Sequence, residues 1–190
     1  MSPDGIPFLK IGNTFISQFI NIVDFLTIKE CILYDTASDE VKCDVIALCS
    51  LLLNEVTKCE LYLTWLVDDV FYKVTRRRYA GHLFFVLKHL IPYQRRNQIR
   101  KELGDFASYD LKKVLSILEL NLTCIAEILQ ENTFVIGNDP TEIDALVFGH
   151  VYALLTTDLP GINVVQYIPE NLKRLCKRMD DMCFKGQHPV

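Results

Sequence analysis

Two hydrophobic periods divide the chain. Residues 7–19, "PFLKIGNTFISQF", alternate as two short strands joined by Gly12-Asn13, a glycine-first pair that suits a two-residue type II′ hairpin. "INIVDFL" then opens a helical pattern. A two-stranded hairpin is marginal in water, so it has to lie against something larger. From Ser38 to about Val67, Val41, Val45, Leu48, Leu52, Val56 and Leu63 recur at spacings of three, four and seven, which predicts a long amphipathic helix. A second helical region follows, interrupted near Gly81 and closed around Gly104. Leu111, Val114, Leu115, Leu118, Leu122, Ile125 and Leu129 repeat the apolar spacing, and Pro169 opens a last helix with proline in its first turn. The predicted class is mainly α, a helical bundle behind a hairpin.

The stretch "NDPTEIDALVFGHVYALLTT", residues 138–157, carries the strongest local signal. A buried helix cannot leave its first N–H groups to water. Thr141 is placed to accept from the third helical N–H, and Asp144, at that third position, to reach back to the N–H of Thr141; this is a capping box. The helix behind it is apolar nearly all round and is expected in the middle of a domain. Asp144 therefore reads as a cap in preference to a catalytic carboxylate. His150, on the face of Ile143, Val147 and Leu154, reads as a core histidine bonded to a carbonyl. Trp65 and Tyr62 read as packing.

With 190 residues, 50% of them apolar, the chain can bury a substantial core as one domain or one and a half. No secretory signal precedes the hairpin, and no stretch reaches the eighteen uninterrupted apolar residues of a membrane span. Seven cysteines, odd in number and never spaced C-x-x-C, are expected as reduced thiols in a cytosol-facing protein. His82, His89, His150 and His188 form no cluster at ligand spacing, so no metal site and no cofactor is expected.

A net charge of −4 argues against a general nucleic-acid binder, but its distribution is uneven. Between Val70 and Lys101 there are nine basic side chains and no Asp or Glu, leaving eleven basic against twenty-four acidic residues elsewhere. The molecule is expected to be electrically two-sided. Arg76, Arg77, Arg78, Arg95 and Arg96 are the candidate contacts for an acidic partner or anionic lipid headgroups; a solvated helix face is the competing reading. Phe84, Phe85, Leu87, Leu90 and Ile91 lie between these charges, as in a core-facing amphipathic helix or, alternatively, a membrane anchor.

The hairpin with its Ile-Pro step, the helix ending "VDFL" and the capped central helix together resemble the glutathione-transferase architecture. "MSPDGIPFLKIGN", "ELYLTW" and "PTEIDALVFGHVYALLTT" resemble, more specifically and over nearly the whole chain, the metaxin family. The resemblance implies a partial thioredoxin-like N-terminal domain over 1–36 and an all-helical glutathione-transferase C-terminal-like domain over 37–190. Pro7, Thr141 and Asp144 are then structural, with the Ile6–Pro7 bond cis. The resemblance also implies that the strand, helix and strand bearing the thiol-activating residue come before this chain's start. Where the transferases carry an acidic or amide residue followed by Ser to hold the γ-glutamyl group, this chain has Gln18-Phe19, and a phenyl ring cannot donate that hydrogen bond.

By resemblance, then, this is a non-enzymatic adaptor, peripheral at the cytosolic face of the mitochondrial outer membrane. It is of the branch that has no membrane span and is held there by partners. Its expected work is protein import and β-barrel sorting and assembly, with a link to mitochondrial transport along microtubules. The partners implied are a membrane-anchored metaxin-1-type protein, the β-barrel assembly machinery and motor-adaptor proteins. Two rival readings are a glutathione-transferase-like small-molecule binder or weak enzyme, and a peripheral membrane binder acting without a partner. The missing strands would leave a sheet edge and an apolar helix flank uncovered, favouring self-association or pairing.

Overall fold

The computed structural model describes residues 7–29, 39–81, 84 and 87–184. The Ile6–Pro7 bond, the boundary expected at 36/37 and the tail after Phe184 lie outside the described residues. Strands β1 (Phe8–Ile11) and β2 (Thr14–Ser17) pair antiparallel, Phe8 opposite Ser17 and Ile11 opposite Thr14. At the turn Gly12 takes φ 58° while Asn13 stays out of the positive-φ region, the pattern a type II′ turn requires. The Gln18 N–H donates to the Pro7 carbonyl at 3.1 Å and ties off the open end of the hairpin. Helix α1 (Phe19–Ile28) lies on the hairpin, and its Phe19 packs against the helical body.

The first long helix runs over 39–66. It begins as α2 (Asp39–Ser50), widens into a π-type turn at Leu51–Val56, continues as α3 (Thr57–Leu61) and widens again at Tyr62–Leu66. The spacing along it holds: Val45, Leu48, Leu52, Val56 and Leu63 are buried and Val41 partly so, and Cys59 joins the same face. The chain breaks at Val67, whose ψ is 118°, and resumes over 68–80 as α4 (Asp68–Val70), a wide turn at Phe71–Thr75 and α5 (Arg76–Ala80). Next come α6 (Leu87–Leu103), with Gly104 leaving it at φ 54°, and α7 (Leu111–Leu129), capped by Asp110. Helix α8 (Glu142–Thr156) follows, then α9 (Glu170–Phe184). Pro169 stands just outside α9 and not within its first turn, its carbonyl accepting from the N–H groups of Leu172 and Lys173 at 3.2 Å. The fold is mainly α, as the periodicity predicts.

Helix α8 packs against α2 and α9 and buries Ile143, Val147, Val151 and Leu154. Apolar composition all round does not mean burial all round, however. Ala145, Gly149 and Ala153, four residues apart, remain exposed along one side. Small residues there let a cleft form instead of a packed contact.

Thr141 and Asp144 form the capping box at the start of α8, and the carboxylate does more than cap. Asp144 has no exposed surface. Its Oδ2 accepts from the Thr141 N–H at 2.9 Å and from the Thr141 hydroxyl at 2.8 Å, while Oδ1 accepts from the Val135 N–H at 2.8 Å. Val135 and its neighbour Phe134 are core residues of the α7–α8 loop. Helix α9 holds the same loop from the other side, Asn171 Nδ2 donating to the Ala126 and Gln130 carbonyls at 2.8 and 3.1 Å and the Arg178 guanidinium to the Thr133 carbonyl. A buried carboxylate with three donors at a helix N-terminus is stabilised by hydrogen bonds and by the helix dipole together. Asp144→Ala strands those donors, and urea denaturation is expected to show a loss of about 3–5 kcal/mol, with Asp144→Asn costing less. A loss below about 1 kcal/mol for the alanine variant would contradict this role.

Candidate functional site

Two surfaces of the molecule have the chemistry to meet another molecule. The first is the seam between the hairpin with α1 and the helical body. Phe19 and Ile20 border two clefts there. One, of about 490 Å³, is apolar, with Val23, Val45, Ile46 and Leu53 in its walls. The other, of about 820 Å³, runs from Pro7, Gln18 and Phe19 to Glu60, Gly149 and His150. A Cβ built on Gly149 would meet nothing within 4 Å, so the cleft reaches the helix backbone itself. Gln18, at its mouth, has φ 72° and ψ 140°, a strained conformation for a residue with a side chain.

In this cleft His150 Nδ1 lies 2.9 Å from Glu60 Oε1, a pair only 14% and 22% exposed that joins α8 to α3. This corrects the expectation that His150 bonds a carbonyl: its partner is a carboxylate from a helix ninety residues away. The pair ties two helices together and leaves the cleft no other described histidine. Phe19 stands at its wall, and its ring has no hydrogen-bond donor to offer there.

Three of the described thiols, Cys49, Cys59 and Cys176, are buried. Burial pushes Cys59 up to about 12, with the charges of Glu55 and Glu60 adding to the rise, and Cys59 donates instead to the Val114 carbonyl. Burial, then the charge of Asp180, pushes Cys176 up to about 11, and burial raises Cys49. The thiolate is the reactive form, so these three are inert near neutrality. Among the described residues no group of three His, Cys, Asp or Glu is placed to hold a metal ion.

The second surface is basic. Segments 68–80 and 87–103 pack as an antiparallel pair, since Arg96 meets Asp68 and Phe71 at one end while Arg76 meets Tyr93 further along. The five candidate arginines do not act alike. Arg96 is 8% exposed: its guanidinium donates to the Leu66 carbonyl at 2.8 Å and to Asp68 Oδ1 at 2.6 Å, and lies 4.5 Å from the centre of the Phe71 ring. It clamps the break at Val67 and is withdrawn from any outside contact, a correction that its position in a basic run conceals. Arg95 pairs with Glu102 at 3.1 Å and Lys73 with Asp69 at 3.3 Å, so acids just outside the acid-free window neutralise its two ends. Arg77 and Arg78 are exposed, and Arg76 is half-buried beside Tyr72 and Tyr93. Trp65 and Tyr62 pack as expected: Trp65 meets Tyr79 edge-on at 5.0 Å, and the Tyr62 hydroxyl donates to the Tyr109 carbonyl at 2.7 Å.

The chain can be set beside known proteins at this point. Residues 1–96 match the family model described as outer mitochondrial membrane transport complex protein, and residues 118–179 the model of the glutathione S-transferase C-terminal domain. The chain is 29% identical to human Metaxin-2 over 98% of its own length and 73% of that protein's. It is 34% identical to the Metaxin-2 homolog of Caenorhabditis elegans over 82% and 69% of the two lengths. Mouse Metaxin-1 is more distant, at 26% identity over 70% of this chain and 44% of the relative. No solved structure matches.

Arg96→Ala is expected to lower stability by about 2–4 kcal/mol through loss of a buried, paired cation stacked on an aromatic ring. Arg95→Ala, at an exposed pair, is expected to change it by less than about 0.5 kcal/mol. Equal effects in thermal or urea unfolding would contradict the different roles assigned to the two neighbours.

Proposed function

Because this chain belongs to the metaxin family, we propose that it works as a non-enzymatic subunit of a mitochondrial protein-import assembly, peripheral at the cytosolic face of the outer membrane. The match of residues 1–96 to the outer-membrane transport complex model carries this reading. Among the described residues no helix is long and apolar enough to cross a membrane, and attachment is assigned here to contact with a metaxin-1-type protein. The more specific work would be sorting and assembly of β-barrel proteins, and a motor-adaptor link would use the same subunit as a tether. Residues 1–36 would serve as the cover over α2 and α8, and residues 37–190 as the body that meets partners.

Binding, and not chemistry, would be the mechanism. The cleft supports that reading because its titratable residues Glu60 and His150 satisfy each other. A tagged copy of the chain, incubated with detergent-solubilised outer membranes, is expected to recover a metaxin-1-type protein together with β-barrel assembly components. Recovery of neither, combined with retention of the chain on immobilised glutathione, would overturn the adaptor reading in favour of a small-molecule binder.

A further inference from the structure

We propose that the end of the molecule where α5 meets α6 is a docking surface for an anionic lipid bilayer, with lipid phosphates in a basic notch and neighbouring apolar side chains in the headgroup–acyl boundary. The notch is a cavity of about 210 Å³ between the two helices, lined by Arg76, Arg77, Ala80, Gly81, Lys88 and His89. Beside it stand three large apolar side chains in water, Phe84 at 87% exposure, Leu90 at 61% and Leu87 at 43%. The Lys88 N–H donates to the Phe84 carbonyl at 2.9 Å, which fixes Phe84 against the first turn of α6, next to the basic groups.

Charge is distributed to suit this use. The acids that neutralise the helix pair, Asp68, Asp69 and Glu102, sit at its opposite end, about 20 Å away along segment 68–80. They pair with Lys73, Arg95 and Arg96, whereas Arg77 and Arg78 stand exposed at the notch end.

A single exposed Phe or Leu is ordinary, but three within seven residues, beside a cationic notch, form a patch that water disfavours. An acidic protein or a nucleic acid would use the charges and leave the apolar trio wet. A bilayer meets both demands at their respective depths, phosphates first and acyl chains a few ångströms below. The location at an outer membrane rests on the proposed function; the contact itself needs no protein partner, so the two fail separately.

The test uses the purified full chain and vesicles alone. Flotation is expected to show binding to phosphatidylcholine vesicles containing about a quarter phosphatidylserine and not to phosphatidylcholine alone, with binding lost as salt rises to roughly 0.5 M. The double change Arg77→Gln and Arg78→Gln, at two exposed positions, is expected to weaken it roughly thirtyfold. Phe84→Ser with Leu90→Ser is expected to weaken it about tenfold or more. Arg100→Gln with Lys101→Gln, at the far end of α6, is expected to leave it nearly unchanged. Equal affinity for neutral vesicles, equal losses at both ends of α6, or capture by polyglutamate, DNA or inorganic phosphate with no binding to anionic vesicles would each overturn the proposal.

Discussion

The buried carboxylate of Asp144 is the constraint on which the rest of the structure depends. It accepts from the backbone of Val135, from the backbone of Thr141 and from the Thr141 hydroxyl. One side chain thus joins the α7–α8 loop to the start of α8. A helix advances 100° per residue, so fixing its first residue fixes which side each later residue faces. The same start that sends Ile143, Val147, Val151 and Leu154 inward turns Ala145 and Gly149 to the cleft and brings His150 to Glu60. Helix α9 reinforces the arrangement by holding the loop's carbonyls through Asn171 and Arg178. The cleft and its one polar pair are therefore consequences of where α8 begins.

Much of the helical body was legible because burial follows spacing. The positions from Val45 to Leu63 and from Val114 to Leu129 are buried where period 3.6 places them, and the Thr141–Asp144 pair lies within four residues of sequence. What could not be read was long-range. Nothing in the sequence links Val135 to Asp144 or Glu60 to His150, since those contacts arise only when separate elements pack. The break at Val67 falls where the first amphipathic pattern ends, although neither Gly nor Pro marks it. Arg96 looks like its neighbour Arg95, yet one position along a helix is enough to turn it from the solvent side toward Phe71 and Leu66. Composition misled in the same way on α8: Ala and Gly count as apolar, but they are too small to fill the seam they face.

The two surfaces have different physical characters, and that difference underlies the functional account. The cleft is large, with Phe19 at its wall and Glu60 and His150 paired together. The helix pair over 68–103 carries ion pairs with Asp68, Asp69 and Glu102 at its base, and basic and exposed apolar side chains together at its tip. A helical body with an open cleft on one side and a basic, apolar tip is suited to contacts with other molecules. That suits a family whose matched model describes a transport complex of the outer mitochondrial membrane.

The central claim is that the chain works by contact and that its cleft carries out no reaction. The most direct measurement replaces the resident protein in mitochondria with a chain bearing Glu60→Gln and His150→Gln, confirmed as folded, and follows the insertion of a β-barrel precursor. Insertion at the unaltered rate is the result this account predicts. Loss of insertion by a variant that is folded and still recovers its partners would contradict it, because the cleft would then be doing chemistry or holding a ligand that the work requires.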